Sequence, residues 1–239
     1  MITINLLNLM EATGATDGID YSDKTGLNGL DDKKMQIFEE LNKIRTDPKS
    51  YLPLLEELMD CIPERFKNNF GKEDQKKIDY VVIERKKVGK VKFWINEGPG
   101  VIPETIEFLK NQEAVGAMIP HPVVMRVAQD HADDPASRYG HASSEDRPKG
   151  SRYLRYCTLN SGAGESISPH NQTPEDTVLG LLIDSGVADR GHRFGLFVKG
   201  DKYCGIGLGT KKGTKPEKLN TDVVVINCAS ALRFSGGAD

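Results

Sequence analysis

The chain has 239 residues, 38% of them hydrophobic and 28% charged, which suits one large domain or one domain with an elaborated N-terminal half. A formal net charge of −3 excludes a nucleic-acid binder that works by neutralising phosphates. Aromatic content of 7% and a mean hydropathy of −0.45 argue against a membrane protein, and no run reaches the apolar length of a transmembrane helix.

In chain order, residues 1–30 carry clustered Gly, Asp, Thr and Ser without sustained periodicity and read as an N-terminal arm. Asp31 or Asp32 then caps a helix marked by Met35, Phe38, Leu41 and Ile44. Asp47-Pro48 interrupts it, and Pro48 opens a second helix through Tyr51, Leu54, Leu55 and Leu58. Residues 64–79 are dense in charge and read as a solvated helix or loop. Tyr80-Val81-Val82-Ile83 and Val91-Lys92-Phe93-Trp94-Ile95 flank a basic stretch holding Gly89, the pattern of a hairpin. An amphipathic helix follows through Val101, Ile102, Ile106, Phe108 and Leu109. Pro120 and Pro122 close that section, and Val123, Val124, Val127, Ala128 and His131 begin the next helix. Thr173-Pro174-Glu175-Asp176 is a helix start, with a cap, a proline in the first turn and acids at the positive dipole end. Strands are expected at Phe194–Val198, Tyr203–Leu208 and Val223–Cys228. Helices early and strands late, which those helices must cover, predict an α+β layered sandwich.

Three stretches concentrate polar residues that a core would not need. They are Arg138-Tyr139-Gly140-His141-Ala142-Ser143, Gly162-Ala163-Gly164-Glu165-Ser166-Ile167, and Ile183-Asp184-Ser185-Gly186-Val187-Ala188-Asp189-Arg190-Gly191-His192-Arg193. In that order they resemble the signature of the CAP superfamily (cysteine-rich secretory, antigen 5 and pathogenesis-related-1 proteins), in particular its SCP-like branch. Leu41-Asn42-Lys43-Ile44-Arg45 through Tyr51, Glu97-Gly98-Pro99-Gly100-Val101 through Lys110, and His131-Ala132-Asp133-Asp134 are similar to further segments of that branch. The resemblance spans roughly residues 35–230. It implies a three-layer α/β/α sandwich with a central, mostly antiparallel sheet. The corresponding division is an arm over 1–30, a helical and hairpin extension over 31–120, the CAP core over 121–232 and a tail over 233–239.

The resemblance also implies a central cleft holding His141, Glu165 and His192, with Asp184 as a second carboxylate. Ser166 departs from the family's usual Gly-Glu-Asn. Such a set offers two chemistries. His141 and His192 with the carboxylates could hold zinc or another divalent cation, or the four groups could act as general acid and base without metal. A nucleophile is missing: Ser143, Ser144 and Ser166 sit in no Gly-x-Ser-x-Gly elbow, and no cysteine accompanies the motifs.

The remaining polar residues have plainer readings. His131 is expected to hold its helix through Asp134 or a backbone group, and His121 and His170 to be exposed. Arg152 and Arg193 are expected in salt bridges with Asp184, Asp189 or Glu145. Gly205-Ile206-Gly207-Leu208-Gly209 lacks the strand-turn-helix setting of a dinucleotide loop, so those glycines are assigned to tight strand packing. The lysines at 85–92 and 211–218 read as solvated surface. Cys61, Cys157, Cys204 and Cys228 form no CxxC motif, leaving open a disulfide such as Cys157 to Cys204 or buried thiols. Asn171-Gln172-Thr173 is a sequon weakened by Pro174. The first ten residues lack a basic n-region and a cleavage site, which favours an intracellular protein over a secreted one.

Three functions are consistent with these features. The first is a binding or interaction module with a non-catalytic cleft, taking a protein partner or, as the resemblance implies, a lipid or sterol. The second is a structural subunit of a large intracellular assembly, for example a cytoskeletal one, docked through the N-terminal arm. The third is a metal-dependent hydrolase using His141, Glu165, Asp184 and His192. Binding or structural interaction ranks ahead of enzyme.

Overall fold

A computed structural model describes residues 32–64, 80–85, 89–134, 141, 152–159, 162–169, 173–211 and 221–233. The arm, the tail, the charged stretch after residue 64, His170, Asn171, Gln172, Ser143, Ser144 and most of the lysines at 211–218 lie outside them.

Helices and strands mix as α+β. In chain order they are α1 (Asp32–Thr46), a 3-10 turn (Pro48–Tyr51), α2 (Leu52–Asp60), β1 (Tyr80–Arg85), β2 (Gly89–Trp94), α3 (Val101–Asn111), β3 (Ile119–Pro120) and α4 (Pro122–Asp133). A 3-10 turn (Tyr153–Arg155), β4 (Thr158–Leu159), β5 (Ala163–Pro169), α5 (Pro174–Ile183), α6 (Gly191–Gly195), β6 (Tyr203–Lys211), β7 (Thr221–Ala229) and β8 (Leu232–Arg233) complete them. The chain forms two compact units.

The first unit draws on Met1–Phe38, Ala117–Ile167 and Gly200–Asp239. Its four-stranded sheet has the order β3-β6-β7-β5, with β3 parallel to β6 and β6 antiparallel to β7. Helix α4 lies directly on β6. A Cβ added at Gly205 would come within 2.1 Å of the Val124 backbone, one at Gly207 within 2.2 Å of Ala128, and one at Gly209 within 2.4 Å of Ala132. Three glycines two apart on a strand therefore meet three residues four apart on a helix, because those spacings each mark one face. This is the tight packing that the glycine pattern predicts. His121 departs from expectation: it is fully buried and caps α4, its Nδ1 accepting the Val123 backbone N–H at 3.2 Å. Its ring packs against Tyr203 at 4.9 Å between centroids. Pro122 supplies the fixed φ of the first turn and leaves the side chain to satisfy the next donor.

The second unit draws on Glu39–Gly116 and Ser168–Lys199. Here β1 and β2 form the expected hairpin, with Tyr80 opposite Trp94 and Arg85 opposite Gly89, whose φ is +77°. Helix α5 starts as read: Thr173 Oγ1 accepts the Asp176 backbone N–H at 3.0 Å, with Pro174 in the first turn. Fully buried Arg45 donates to the carbonyls of Gly116 (3.0 Å), Leu196 (2.7 Å) and Val198 (3.1 Å). The expected strand at Phe194–Val198 is instead the end of α6 and the turn after it. The cause lies outside the stretch: the Asp184 carboxylate accepts from the backbone N–H groups of His192 and Arg193, nucleating a helical turn that overrides the β preference of Phe and Val.

Candidate functional site

Each of the two histidine–carboxylate pairs forms within one unit. In the first, β5 carries Glu165 beside α4. His131 Nδ1 lies 2.8 Å from Glu165 Oε2, and His141 Nδ1 lies 2.9 Å from Oε1. A carboxylate accepts only, so both rings donate from Nδ1 and one anion is shared by two imidazoles. Arg152 Nη1 stands 3.2 Å from His131 Nδ1 and 4.0 Å from Glu165 Oε2. The single Nδ1 proton serves the carboxylate, which leaves the guanidinium as a charge beside the pair. Arg152 Nη2 is anchored by Asp134 Oδ2 at 3.2 Å, and Asn227 Nδ2 donates to Glu165 Oε2 at 3.4 Å.

The shared anion is strongly stabilised. Burial alone would raise the Glu165 pKa, but hydrogen bonds and positive charge from His131 and His141 outweigh it and hold the group at about 2. Val127, Tyr153, Ala163 and Gly164 join Glu165 and Asn227 around a small pocket. Burial pushes the Tyr153 phenol far above its ordinary range, so it stays protonated.

In the second unit, Asp184 caps the end of α5 in the left-handed region at φ 51°. Its Oδ1 accepts from His192 Nδ1 at 2.7 Å, while Oδ2 accepts the His192 backbone N–H at 2.9 Å. Arg193, only 2% exposed, donates to the Leu182 carbonyl (2.7 Å), the Ile183 carbonyl (2.9 Å), Thr105 Oγ1 (2.8 Å) and Glu104 (2.6 Å). Arg190 clamps Glu97 and Glu104 at 2.7 and 2.8 Å. Hydrogen bonding to Arg190, then to Arg193, holds the Glu104 carboxyl at about 2 despite some burial.

Three expectations change in their partners. His131 meets Glu165 rather than Asp134 through its side chain, although the Asp134 backbone N–H does donate to the His131 carbonyl. Arg152 pairs with Asp134, and Arg193 with Glu104. Asn227 was not singled out at all. Its signal is a lone amide closing the apolar run Val223-Val224-Val225-Ile226, where a polar side chain 1% exposed needs a partner.

Both Glu165 oxygens and the Nδ1 atoms facing them hydrogen-bond one another, as do Asp184 and His192 Nδ1, an arrangement that leaves any metal binding by these imidazoles to Nε2. Among the described residues, no group of three or more His, Cys, Asp or Glu side chains is arranged to hold a metal ion. Cys61, Cys157, Cys204 and Cys228 are thiols rather than disulfides. No helix among the described residues is long and apolar enough to cross a membrane.

The fold and site thus define a mixed α+β protein with two carboxylate–imidazole centres. Compared with protein-family models, with curated proteins and with solved structures, the chain matches none.

Proposed function

We propose that the chain is a CAP-type, SCP-like domain built as an α/β/α sandwich, and that it works as a binding module for a protein partner without catalysing a reaction. The ordered motifs around His141, Glu165 and His192 support the family reading, together with the mixed α+β fold. The observation that carries the non-catalytic reading is the use of Glu165. Its two oxygens are divided between two imidazoles, and its pKa of about 2 lies far from the near-neutral value that general acid–base chemistry rewards. Asp184 is likewise occupied, holding α6 and the His192 ring.

The test sets wild type beside His192→Ala on ester, peptide and phosphoester substrates, with and without added zinc. The reading expects no turnover that distinguishes the two proteins. A wild-type rate about tenfold or more above the variant overturns it in favour of the hydrolase. Affinity capture with the full chain beside a chain lacking residues 1–30 then asks whether the arm recruits the partner.

A further inference from the structure

The β1–β2 hairpin has one buried and one exposed face. Val81, Ile83, Val91 and Phe93 are each at most 6% exposed. The cross-strand pairs on the other face are Tyr80 with Trp94, Val82 with Lys92 and Glu84 with Lys90. Tyr80 and Val82 are each 41% exposed and Trp94 is 51% exposed, and Glu84, Lys90 and Lys92 are also exposed. Tyr80 and Trp94 meet edge to face at 5.6 Å, and Lys92 Nζ sits 4.6 Å from the Tyr80 ring centre. The hairpin is a sheet of only two strands, so among the described residues the outer edge of β2 pairs with no strand.

Charge runs strongly one way. Residues 84–92 hold Arg85, Lys86, Lys87, Lys90 and Lys92 against the single acid Glu84. Simple solvation accounts for the lysines but leaves the exposed aromatic pair beside them unexplained. A bilayer anchor would carry its aromatic residues at the tip. Here they lie at the open end, furthest from the turn. A base-stacking platform needs ring faces, and this pair is turned edge to face.

We propose that β2 receives an extended acidic segment of a partner protein as a third strand. Main-chain hydrogen bonds run along its edge, carboxylates lie over Lys90 and Lys92, and an apolar side chain lies over Trp94. Alternate residues of a strand share a face, so the partner sequence places two acids and one apolar residue at two-residue intervals. This surface lies in the second unit and shares no residue with the Glu165 centre of the first, so it stands or falls apart from the function proposed above.

The chain contains one tryptophan, Trp94, so its fluorescence reports on this surface alone. The probe is a synthetic hexapeptide with one valine and two glutamates at alternate positions and threonines between them, titrated into the full chain. A saturable change in Trp94 emission is expected. It should weaken by about tenfold in a Lys90→Gln/Lys92→Gln double variant, which sets no like charge opposite Glu84 and whose urea-unfolding midpoint is checked against wild type. A peptide methylated on alternate backbone nitrogens should not bind. The proposal is overturned by no saturable change, by equal binding to the double variant, or by equal binding of the methylated peptide. It is also overturned if a single-stranded oligonucleotide or an anionic phosphatidylserine vesicle acts at lower concentration than the peptide.

Discussion

The two units solve the problem of a dense interior in opposite ways. In the first, α4 approaches β6 so closely that Gly205, Gly207 and Gly209 have no room for a methyl group. In the second, Arg45 and Arg193 are buried whole, and their guanidinium groups take up backbone carbonyls that would otherwise be orphaned. The carboxylates follow the same division. Glu165 is satisfied by side chains from α4 and the segment at His141, whereas Asp184 spends one oxygen on backbone N–H groups and the other on His192. A histidine beside an acid is therefore no single device: in one unit it gathers charge, and in the other it trims a helix end.

Substitutions sharpen that contrast, beginning with the arginines. Arg45→Ala should cost about 4 kcal/mol in urea unfolding, because it strands three carbonyls and opens a cavity. A cost near 1 kcal/mol would show that water replaces the guanidinium and that the second unit does not depend on it. Gly205→Ala should cost about 3 kcal/mol, since the obstruction is the backbone of α4 and not a flexible side-chain end. A neutral result would mean that α4 shifts freely on the sheet.

The carboxylates give smaller, pH-dependent effects. Glu165 falls from its ordinary 4.5 to about 2 in the folded protein, so as pH drops the unfolded chain takes up the proton first. Its contribution, on the order of 3 kcal/mol, is present above pH 4.5 and is lost as pH falls toward 2. Glu165→Gln should flatten that stretch of the stability–pH curve, and it should cost on the order of 2 kcal/mol at pH 7, because the amide oxygen still accepts from one ring. Asp184→Asn should cost about 1 kcal/mol, the scale of a helix cap, with helical signal lost at α6. If Asn at 184 proves more damaging than Gln at 165, the assignment of charge gathering to one site and capping to the other is reversed.

Local patterns were readable where a short stretch decides its own conformation. Thr173-Pro174 fixed the start of α5, the apolar spacing marked α1 and α3, and the alternation around Gly89 marked the hairpin, because capping and periodicity are properties of neighbouring residues. The glycine triplet was legible for the same reason. By contrast β5, with Gly, Glu and Ser in its run, does not read as a strand, since its burial comes from α4 and β7 rather than from its own hydrophobicity. The motifs likewise named His141, Glu165, Asp184 and His192 without showing how each is used. Sequence by itself determined where most helices begin. Only the tertiary structure decided that His131 and Arg152 join Glu165, that Asp184 turns Phe194 into helix, and that His121 is buried. Those outcomes depend on groups distant in sequence meeting in space, such as His192 with Asp184, His131 with Glu165 and His121 with Tyr203, and no local pattern encodes which distant partner a side chain will find.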